Sequence, residues 1–293
     1  MCGCCPMQRC TIAETVEYSG IGIHSGERTH VRLLPAIERV GDLPSGIVFW
    51  RNGAPIPAHV NYVKSTARGI TLGNNDVQVH TVEHLLATLW AFGITDVHIE
   101  VEGCEIPIGG GDASHWVELL RRAGRLTLPG VRQPVRLPAP LEIHAPNEDA
   151  YIRAWDAPQL RVRYIFARDH PLVGRQEFTS DELRNSFASE IAPARTFAFI
   201  EEVESLLQRG FGQGGSFDNC LVIYPDHYSA PLRFYNELVR HKVLDLLGDL
   251  MLLGSDLCAS VEVYRGGHEL HVAFIRDLWQ KVGACDERAS GGW

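Results

Sequence analysis

Two helices stand out in the pattern of apolar and polar positions along the chain. Residues 80–93 are apolar on nearly every side, which is typical of a buried helix, with Thr81 as the expected N-cap and Gly93 as the expected stop. Residues 240–249 repeat apolar side chains at helical spacing, without proline or a β-branched run. Both predicted helices also carry ionisable side chains, which need an explanation because burying a lone charge is costly.

Short stretches of alternating polarity predict β-strands around these helices. Strand-like runs lie within residues 11–34, 46–50, 70–72, 96–102, 151–165 and 219–224. An amphipathic helix is predicted over residues 203–208, and a hairpin over residues 260–274 with its turn at residues 265–268. Strands and helices interleave without a regular βαβ rhythm, which favours two α+β sandwiches.

The length of 293 residues is enough for about two domains. A proline-rich stretch with no helical period separates two halves of similar plan and is interpreted as the linker. The predicted division is a disordered N-terminus (1–10), a first α+β domain (11–127), a linker (128–140), a second α+β domain (141–280) and a frayed C-terminus (281–293).

Composition and charge narrow the possible partners and the compartment. The chain is 45% hydrophobic and 22% charged, with a net charge of −9, which argues against general affinity for nucleic acid or an anionic membrane surface. No apolar run reaches the ~18 residues of a transmembrane helix, and the first residues lack the apolar segment of a secretion signal. We therefore expect a cytoplasmic protein without stable membrane insertion; the sequence leaves protein partners open.

Eight cysteines occur, and half of them crowd at the N-terminus as Cys2, Cys4, Cys5 and Cys10. Their spacing fits neither a disulfide framework nor a zinc site, which agrees with a reducing cytoplasm. A soft-metal site remains an alternative, but we interpret the cluster as an adventitious terminus.

The second helix carries a stripe of possible metal ligands. His241, Asp245 and Asp249 recur every four residues and so share one helix face. An imidazole and a carboxylate one turn apart can bind one divalent cation. The carboxylate one turn further along can then contact the groups around that cation. The same pair on an exposed helix often makes only a weak ion pair. His84 on the first helix would complete a three-ligand site with an open position if the two helices meet.

Other side chains could supply the groups that hydrolysis needs. Glu83 could accept a proton from a water whose pKa the metal lowers to about 7. His268 is a second acid/base candidate, with Asp249 holding its tautomer, and Thr196 offers a hydroxyl to an oxyanion. The structural alternatives are a turn histidine and a helix N-cap, respectively. His24 follows a glycine-rich bend, as either a structural histidine or a site residue.

Several motifs follow one another between residues 11 and 274: residues 19–26, 81–85, 194–197, 214–218, 239–249 and 267–268. Together they resemble the UDP-3-O-acyl-N-acetylglucosamine deacetylases of lipid A biosynthesis. The His-Lys-x-x-Asp helix combined with Thr-Val-Glu-His is specific, whereas neither part alone would be.

The resemblance implies a zinc amidase with two sandwich domains and the site in the cleft between them. By position it assigns the metal to His84, His241 and Asp245, and catalysis to Glu83, His268, Asp249 and Thr196. It also implies a small-molecule UDP-linked acylated sugar as the substrate, held at its sugar, its diphosphate and an apolar passage for its acyl chain. The implied substrate contacts are Lys242, Phe197, Ile200, Val203, Leu206, Gly215, Ser216, Val222, Arg153 and His24. Fe²⁺ accepts the same donors as Zn²⁺, so the native metal stays open.

One stretch departs from the family pattern. Where the family has Met-Asp-Gly-Ser, this chain has three glycines at residues 109–111 followed by Asp112, so the acidic residue comes two positions later. Either Asp112 replaces it through a rearranged turn, or the support of the site is weaker. Two rival functions remain: a non-catalytic protein that binds zinc and a nucleotide sugar, and a zinc amidase for another N-acetyl sugar.

Overall fold

The computed structural model describes residues 6–37, 45–146 and 148–290, with side chains described up to residue 282. The strands are β1 (Met7–Ile12), β2 (Val16–Ile21), β3 (Arg28–Pro35), β4 (Ile47–Arg51), β5 (Ala54–Pro57), β6 (Val63–Ser65), β7 (Thr71–Gly73), β8 (Gln78–Val79), β9 (Val97–Glu102), β10 (Arg125–Arg132), β11 (Val135–Arg136), β12 (Leu141–His144), β13 (Tyr151–Asp156), β14 (Arg161–Arg168), β15 (Gly174–Ser180), β16 (Phe197–Phe199), β17 (Leu221–Ile223) and β18 (Leu257–Tyr264). The helices are α1 (Glu83–Ala91), α2 (Ser114–Ala123), α3 (Leu183–Ser186), α4 (Ile200–Gln208), α5 (Glu237–Leu250) and α6 (His268–Ser290).

Two mixed sheets with the same connectivity form the frame. The first has the order β2-β3-β9-β4-β5, and the second has the order β12-β13-β18-β14-β15, with β11 paired to β18. Within both five-strand paths the third and fourth strands are parallel and the other neighbours are antiparallel. This shared topology agrees with two halves of one plan, and the mixture of sheets and helices is compatible with the predicted α+β class.

The two predicted central helices, α1 and α5, pack against each other. Helix α2 packs on β2 of the first sheet, whereas α5 and α6 pack on strands of the second sheet. One continuous core of buried apolar side chains spans both sheets, with Leu33 and Ile99 in the first and Ile152 and Val261 in the second. The contact between α1 and α5 therefore joins the two halves.

Gly248 sets how closely α1 and α5 approach. A Cβ at this position would lie 2.1 Å from the carbonyl oxygen of Glu83. We expect Gly248→Ala to lower the free energy of unfolding by about 1–3 kcal/mol, because overpacking outweighs the ~1 kcal/mol that alanine gains over glycine inside a helix. Urea denaturation measures this. Gly110→Ala is the control, since, apart from Gly110 and its two chain neighbours, no atom of the described residues lies within 4 Å of its Cβ position. Equal stability of the two variants would contradict the close approach.

Predictions for the central helices are confirmed in part. Gly93 has φ +64° and directly follows the C-cap of α1, as expected for a stop. The N-cap prediction is wrong: Thr81 has φ +59°, Val82 precedes the first helical residue, and the Thr81 hydroxyl donates to Glu105 at 2.9 Å. The helix predicted over residues 203–208 is α4, which begins three residues earlier at Ile200.

The predicted hairpin over residues 260–274 is wrong. Strand β18 ends at Tyr264, and helix α6 begins at His268, so residues 269–274 are helical. Residues 269–274 alternate in polarity, but this window is too short to distinguish a strand from the start of a helix. His268 therefore lies at a helix N-terminus and not on a hairpin tip.

The predictions of a disordered N-terminus, an irregular linker and a frayed C-terminus also need correction. Met7 to Cys10 belong to β1, which pairs with β10, and Cys10 is fully buried, so this part of the N-terminus is ordered. Strands β10 and β11 occupy much of the expected linker, and α6 continues to Ser290 where fraying was expected. Cys2, Cys4 and Cys5 lie outside the described residues.

The sequence has no cysteine spacing typical of a disulfide framework and no apolar run long enough for a transmembrane helix. Cys258 is disulfide-bonded, whereas Cys10, Cys104 and Cys220 are free. Among the described helices, none combines the length and apolar character needed to cross a bilayer.

Candidate active site

Three buried side chains converge where α1 meets α5. The Nε2 atoms of His84 and His241 lie 3.7 and 3.5 Å from the same Oδ1 of Asp245. The two imidazole centroids are 5.1 Å apart, and one donor atom from each of the three residues lies within 4.8 Å of the others. Helical spacing supplies the pair on α5, and the packing of α1 supplies the third residue. Two imidazole nitrogens and a carboxylate oxygen form a donor set that Zn²⁺ and Fe²⁺ both accept.

The protonation states of His241 and Asp245 suit a cation. His241 Nδ1 donates to the carbonyl of Ala194 at 3.0 Å, which leaves the Nε2 lone pair directed at Asp245. Burial lowers the pKa of His241 to about 4, so this ring is neutral. Burial alone would raise the pKa of Asp245, but Lys242 and His241 outweigh it and hold that pKa well below its usual range. A neutral imidazole and an ionised carboxylate are the forms that bind metals.

Glu83 lies one residue before His84, at the start of α1. Its Oε2 accepts a hydrogen bond from the backbone N–H of Ile70 at 2.9 Å, and its Oε1 lies 3.9 Å from His268 Nε2. Burial raises the pKa of Glu83, and the positive charge of His268 only partly offsets this. A carboxylate with a raised pKa is suited to accept a proton near neutral pH.

His268, the first residue of α6, faces several carboxylates. Its Nδ1 donates to Asp249 Oδ2 at 2.8 Å, and its Nε2 lies 3.9 Å from Asp245 Oδ2. Burial alone would lower the pKa of His268, but Asp249, Asp245 and Glu83 outweigh it and raise that pKa to about 9. The ring is therefore charged at neutral pH, with a proton on Nε2 to give.

A cavity of about 610 Å³ adjoins these side chains. Besides Glu83, His268 and the three possible ligands, its lining includes most of the residues assigned to the substrate: His24, Thr196, Phe197, Ile200, Val203, Leu206, Gly215, Ser216, Val222 and Lys242. Helix α4 supplies three of these apolar residues and has no buried residue of its own. Its apolar side chains therefore line the cavity instead of joining the core.

The glycine-rich turn at residues 109–112 is hydrogen-bonded to the backbone of Thr196. The backbone N–H of Thr196 donates to the carbonyl of Gly111 at 2.7 Å. Gly111 has φ +81°, and a Cβ there would lie 2.1 Å from the carbonyl oxygen of Asn219. Asp112 makes an ion pair with Arg233 and is not among the cavity residues. The shifted acidic residue thus anchors the turn through Arg233 and the backbone N–H of Ser114.

Two of the assigned residues do not line the cavity. Asp249 contacts the lining residue His268, whose Nδ1 lies 2.8 Å from Asp249 Oδ2. Arg153 lies on β13, where its Nε is 3.0 Å from Glu142 Oε1 and its guanidinium stacks on Tyr151 at 4.0 Å. Its neighbours on β13, Ile152 and Ala154, face the core, so Arg153 faces outward. The described structure gives Arg153 no place in the cavity lining, and its assignment to the sugar or diphosphate stays a prediction.

Several site residues escaped the sequence analysis. Arg68 and Arg168 line the cavity and both pair with Glu202, at 3.1 and 2.7 Å. No pattern in the sequence distinguishes them from surface arginines. His271 bonds Asp249 at 2.8 Å; its spacing of three from His268 would have indicated a shared face had residues 268–274 been predicted as helix.

Glu105 fixes the bend that carries His24. Its carboxylate accepts hydrogen bonds from the backbone N–H groups of His24 at 3.0 Å and Ser25 at 2.7 Å, as well as from the Thr81 hydroxyl. The His24 ring contacts the carbonyl of Arg68 at 2.9 Å. His24 thus has structural partners as well as a place in the cavity lining.

Known proteins match this chain over nearly its full length. The sequence profile of the UDP-3-O-acyl N-acetylglycosamine deacetylase family matches residues 9–280. The chain is 41% identical over 282 residues to the UDP-3-O-acyl-N-acetylglucosamine deacetylase of Trichormus variabilis, covering 93% of this chain and 98% of the relative. Proteins of the same name from Brucella melitensis biotype 2 and Thermodesulfovibrio yellowstonii are 37% and 35% identical, and each alignment covers at least 92% of both chains.

Proposed function

The chain belongs to the UDP-3-O-acyl N-acetylglycosamine deacetylase family, and we propose that it hydrolyses the acetamide of a UDP-linked, 3-O-acylated N-acetylglucosamine. The products are the free amine, UDP-3-O-acyl-glucosamine, and acetate, as a step of lipid A biosynthesis. The observation that carries this proposal is the convergence of His84, His241 and Asp245 beside Glu83 and His268 at a largely apolar cavity.

The two sheets, each with its own helices, are proposed to be two domains that meet at α1 and α5. Glu83 and His84 come from the first half, and His241 and Lys242 come from the second. All four line the same cavity, which supports a site in the cleft between the proposed domains.

His84, His241 and Asp245 would hold the catalytic metal, because their donor atoms match those that zinc requires, and His241 is neutral and Asp245 ionised. Zinc in this position would polarise the acetamide carbonyl and lower the pKa of the attacking water to about 7. Fe²⁺ could take the same place, so metal analysis of the purified protein decides between the two.

The side chains around the ligands would move the protons. Glu83 accepts one from the attacking water, as its raised pKa and its place beside His84 allow. His268 donates its Nε2 proton to the leaving amine nitrogen, and Asp249 keeps that imidazole charged. The Thr196 hydroxyl donates to the developing oxyanion.

The cavity would hold the rest of the substrate. Lys242, whose Nζ lies 2.8 Å from Asp245 Oδ2, places a positive charge at the lining where the sugar or its phosphate would bind. Phe197, Val203 and Leu206 provide an apolar wall for the acyl chain.

Purified protein should convert the acylated UDP sugar, with acetate and free amine detected by mass spectrometry. We expect a chelator to remove about one metal ion per chain and to lower turnover at least ~100-fold, and added zinc to restore it, since one metal supplies several kcal/mol of stabilisation. A magnesium-loaded chelator is the control. Turnover that survives complete metal removal would contradict the metal-dependent mechanism.

The same assay separates the rival functions. Absence of turnover by metal-loaded protein would favour a non-catalytic binding protein. Equal turnover of a UDP-N-acetylglucosamine that lacks the 3-O-acyl chain would favour an amidase for another N-acetyl sugar, because the apolar cavity would then contribute nothing to specificity.

A further inference from the structure

We infer that His271 is a positioning residue: together with Tyr164 it fixes the Asp249 carboxylate in the orientation that holds His268. The inference deepens the proposed function and rests on it, because it concerns the residue proposed to protonate the leaving amine. It adds two residues that are not part of the described cavity lining, and their described side-chain hydrogen bonds go to each other and to Asp249.

Asp249 accepts two imidazole hydrogen bonds on a single oxygen. The Nδ1 atoms of His268 and His271 each lie 2.8 Å from Asp249 Oδ2. Asp249 and His271 are fully buried, whereas His268 reaches the cavity. A carboxylate held by His268 alone could rotate with it, whereas a second bond from the protein interior fixes the carboxylate.

Tyr164 decides which nitrogen of His271 carries the proton. Its hydroxyl lies 3.2 Å from His271 Nε2. Burial raises the pKa of Tyr164 well above its usual range, so the hydroxyl keeps its proton, and burial lowers the pKa of His271, so the ring is neutral. Because Asp249 can only accept, the one ring proton is on Nδ1, and Nε2 accepts from Tyr164. The chain of donors runs from Tyr164 through His271 to Asp249.

The turn before α6 lies tightly against this chain of donors. A Cβ at Gly266 would lie 3.2 Å from the Tyr164 hydroxyl, 3.3 Å from His271 Nε2 and 2.4 Å from Val263 Cγ1. The turn that delivers His268 to the cavity therefore packs directly on the Tyr164–His271 contact. A fixed Tyr164–His271 contact therefore also restrains the turn that carries His268.

A matched pair of substitutions tests the role of His271. In His271→Asn the amide nitrogen can take the place of Nδ1 and donate to Asp249, whereas in His271→Gln the amide reaches toward the place of Nε2 and leaves Asp249 without its second donor. We expect the Asn variant to keep kcat within about threefold, and the Gln variant to lose kcat about 10- to 100-fold with KM within about twofold, as for other residues that orient catalytic groups.

Thermal unfolding of each variant separates positioning from simple destabilisation. If His271 only fills space, the two variants should lose kcat equally or in proportion to their loss of Tm, which would overturn the inference. Tyr164→Phe keeps the aromatic packing and removes only the hydroxyl; its kcat should fall less than that of His271→Gln, since the bond to Asp249 remains possible.

A second readout needs no turnover. Long-range ¹H–¹⁵N spectra of metal-loaded protein labelled at histidine report the tautomer of each ring. We expect His271 to be neutral with its proton on Nδ1, and to populate the other tautomer in Tyr164→Phe. A charged ring, or a proton on Nε2 in the unsubstituted protein, would contradict the inference. A protein that shows the expected tautomer and no deacetylation would contradict the proposed function alone.

Discussion

Glu83→Gln is expected to keep its metal and to lose kcat by a factor of about 10²–10⁴, the usual contribution of a general base. Glutamine preserves the size of the side chain and an oxygen that can accept from Ile70 N–H, a bond that measures 2.9 Å with Glu83. It has no oxygen that can take a proton from the attacking water. Steady-state kinetics with the acylated UDP sugar, together with zinc analysis of the same sample, measures both parts of the prediction.

The sign of the accompanying stability change follows from the raised pKa of Glu83. Because the folded protein binds this proton more tightly than the unfolded chain, stability from this group is lost as pH rises through the folded-state pKa. The neutral glutamine avoids that loss, so Glu83→Gln should be at least as stable as the natural protein at neutral pH. Loss of activity with gain of stability is the pattern expected of a catalytic group held in an unfavourable environment.

Glu118→Gln is the matched control on α2, where Glu118 is exposed and paired with Arg121 at 2.7 Å. It should change neither kcat nor zinc content, since exposed pairs contribute little. Unchanged kcat in Glu83→Gln would remove Glu83 from the role of base. Loss of zinc in that variant would instead show that Glu83 helps to hold the ion.

The predictable part of the site is the part that local geometry determines. Four-residue spacing on a helix is enough to put His241 and Asp245 on one face, and α5 carries them as expected. The place of His84 depends on the packing of α1 on α5, which needs Gly248 to touch the Glu83 backbone. A glycine inside a helix has no such meaning in the sequence alone, so only the motif resemblance indicated the pairing.

The missed features share a different cause. Residues 269–274 alternate in polarity for one short window, yet they belong to α6, in which Leu270, Val272 and Phe274 are buried. The left-handed backbone of Thr81 is stabilised by its hydroxyl bond to the distant Glu105. Arg153 alternates correctly for a strand but lies on the outward face, because the register of β13 places Ile152 and Ala154 inward. Each of these outcomes was decided by contacts between residues far apart in the chain.

Asp245→Ala is expected to weaken metal binding more than ~100-fold, which is the upper end of the loss caused by removing a residue that only hydrogen-bonds to a ligand. At stoichiometric zinc the variant should have no turnover. Of the three proposed ligands, Asp245 is the ionised one, and its Oδ1 lies within 3.7 Å of both imidazole Nε2 atoms. Its removal takes away one donor and the negative charge that offsets the cation. Competition with a chromophoric chelator measures the affinity, and the acetate assay measures the turnover.

Asp277→Ala is the control, because Asp277 also pairs with a lysine on its own helix, Lys281 at 2.6 Å, but lies on α6 and outside the cavity lining. It should bind zinc normally, which would show that the loss in Asp245→Ala comes from the ligand and not from a broken helical ion pair. Zinc retained at full affinity in Asp245→Ala would mean that the ion is held elsewhere.

Within the described part of the chain, the other buried group with three donor atoms close together is Asp249, His268 and His271. Their described hydrogen bonds already use Asp249 Oδ2 and both Nδ1 atoms, so a metal there would have to break the contacts that hold the proposed acid.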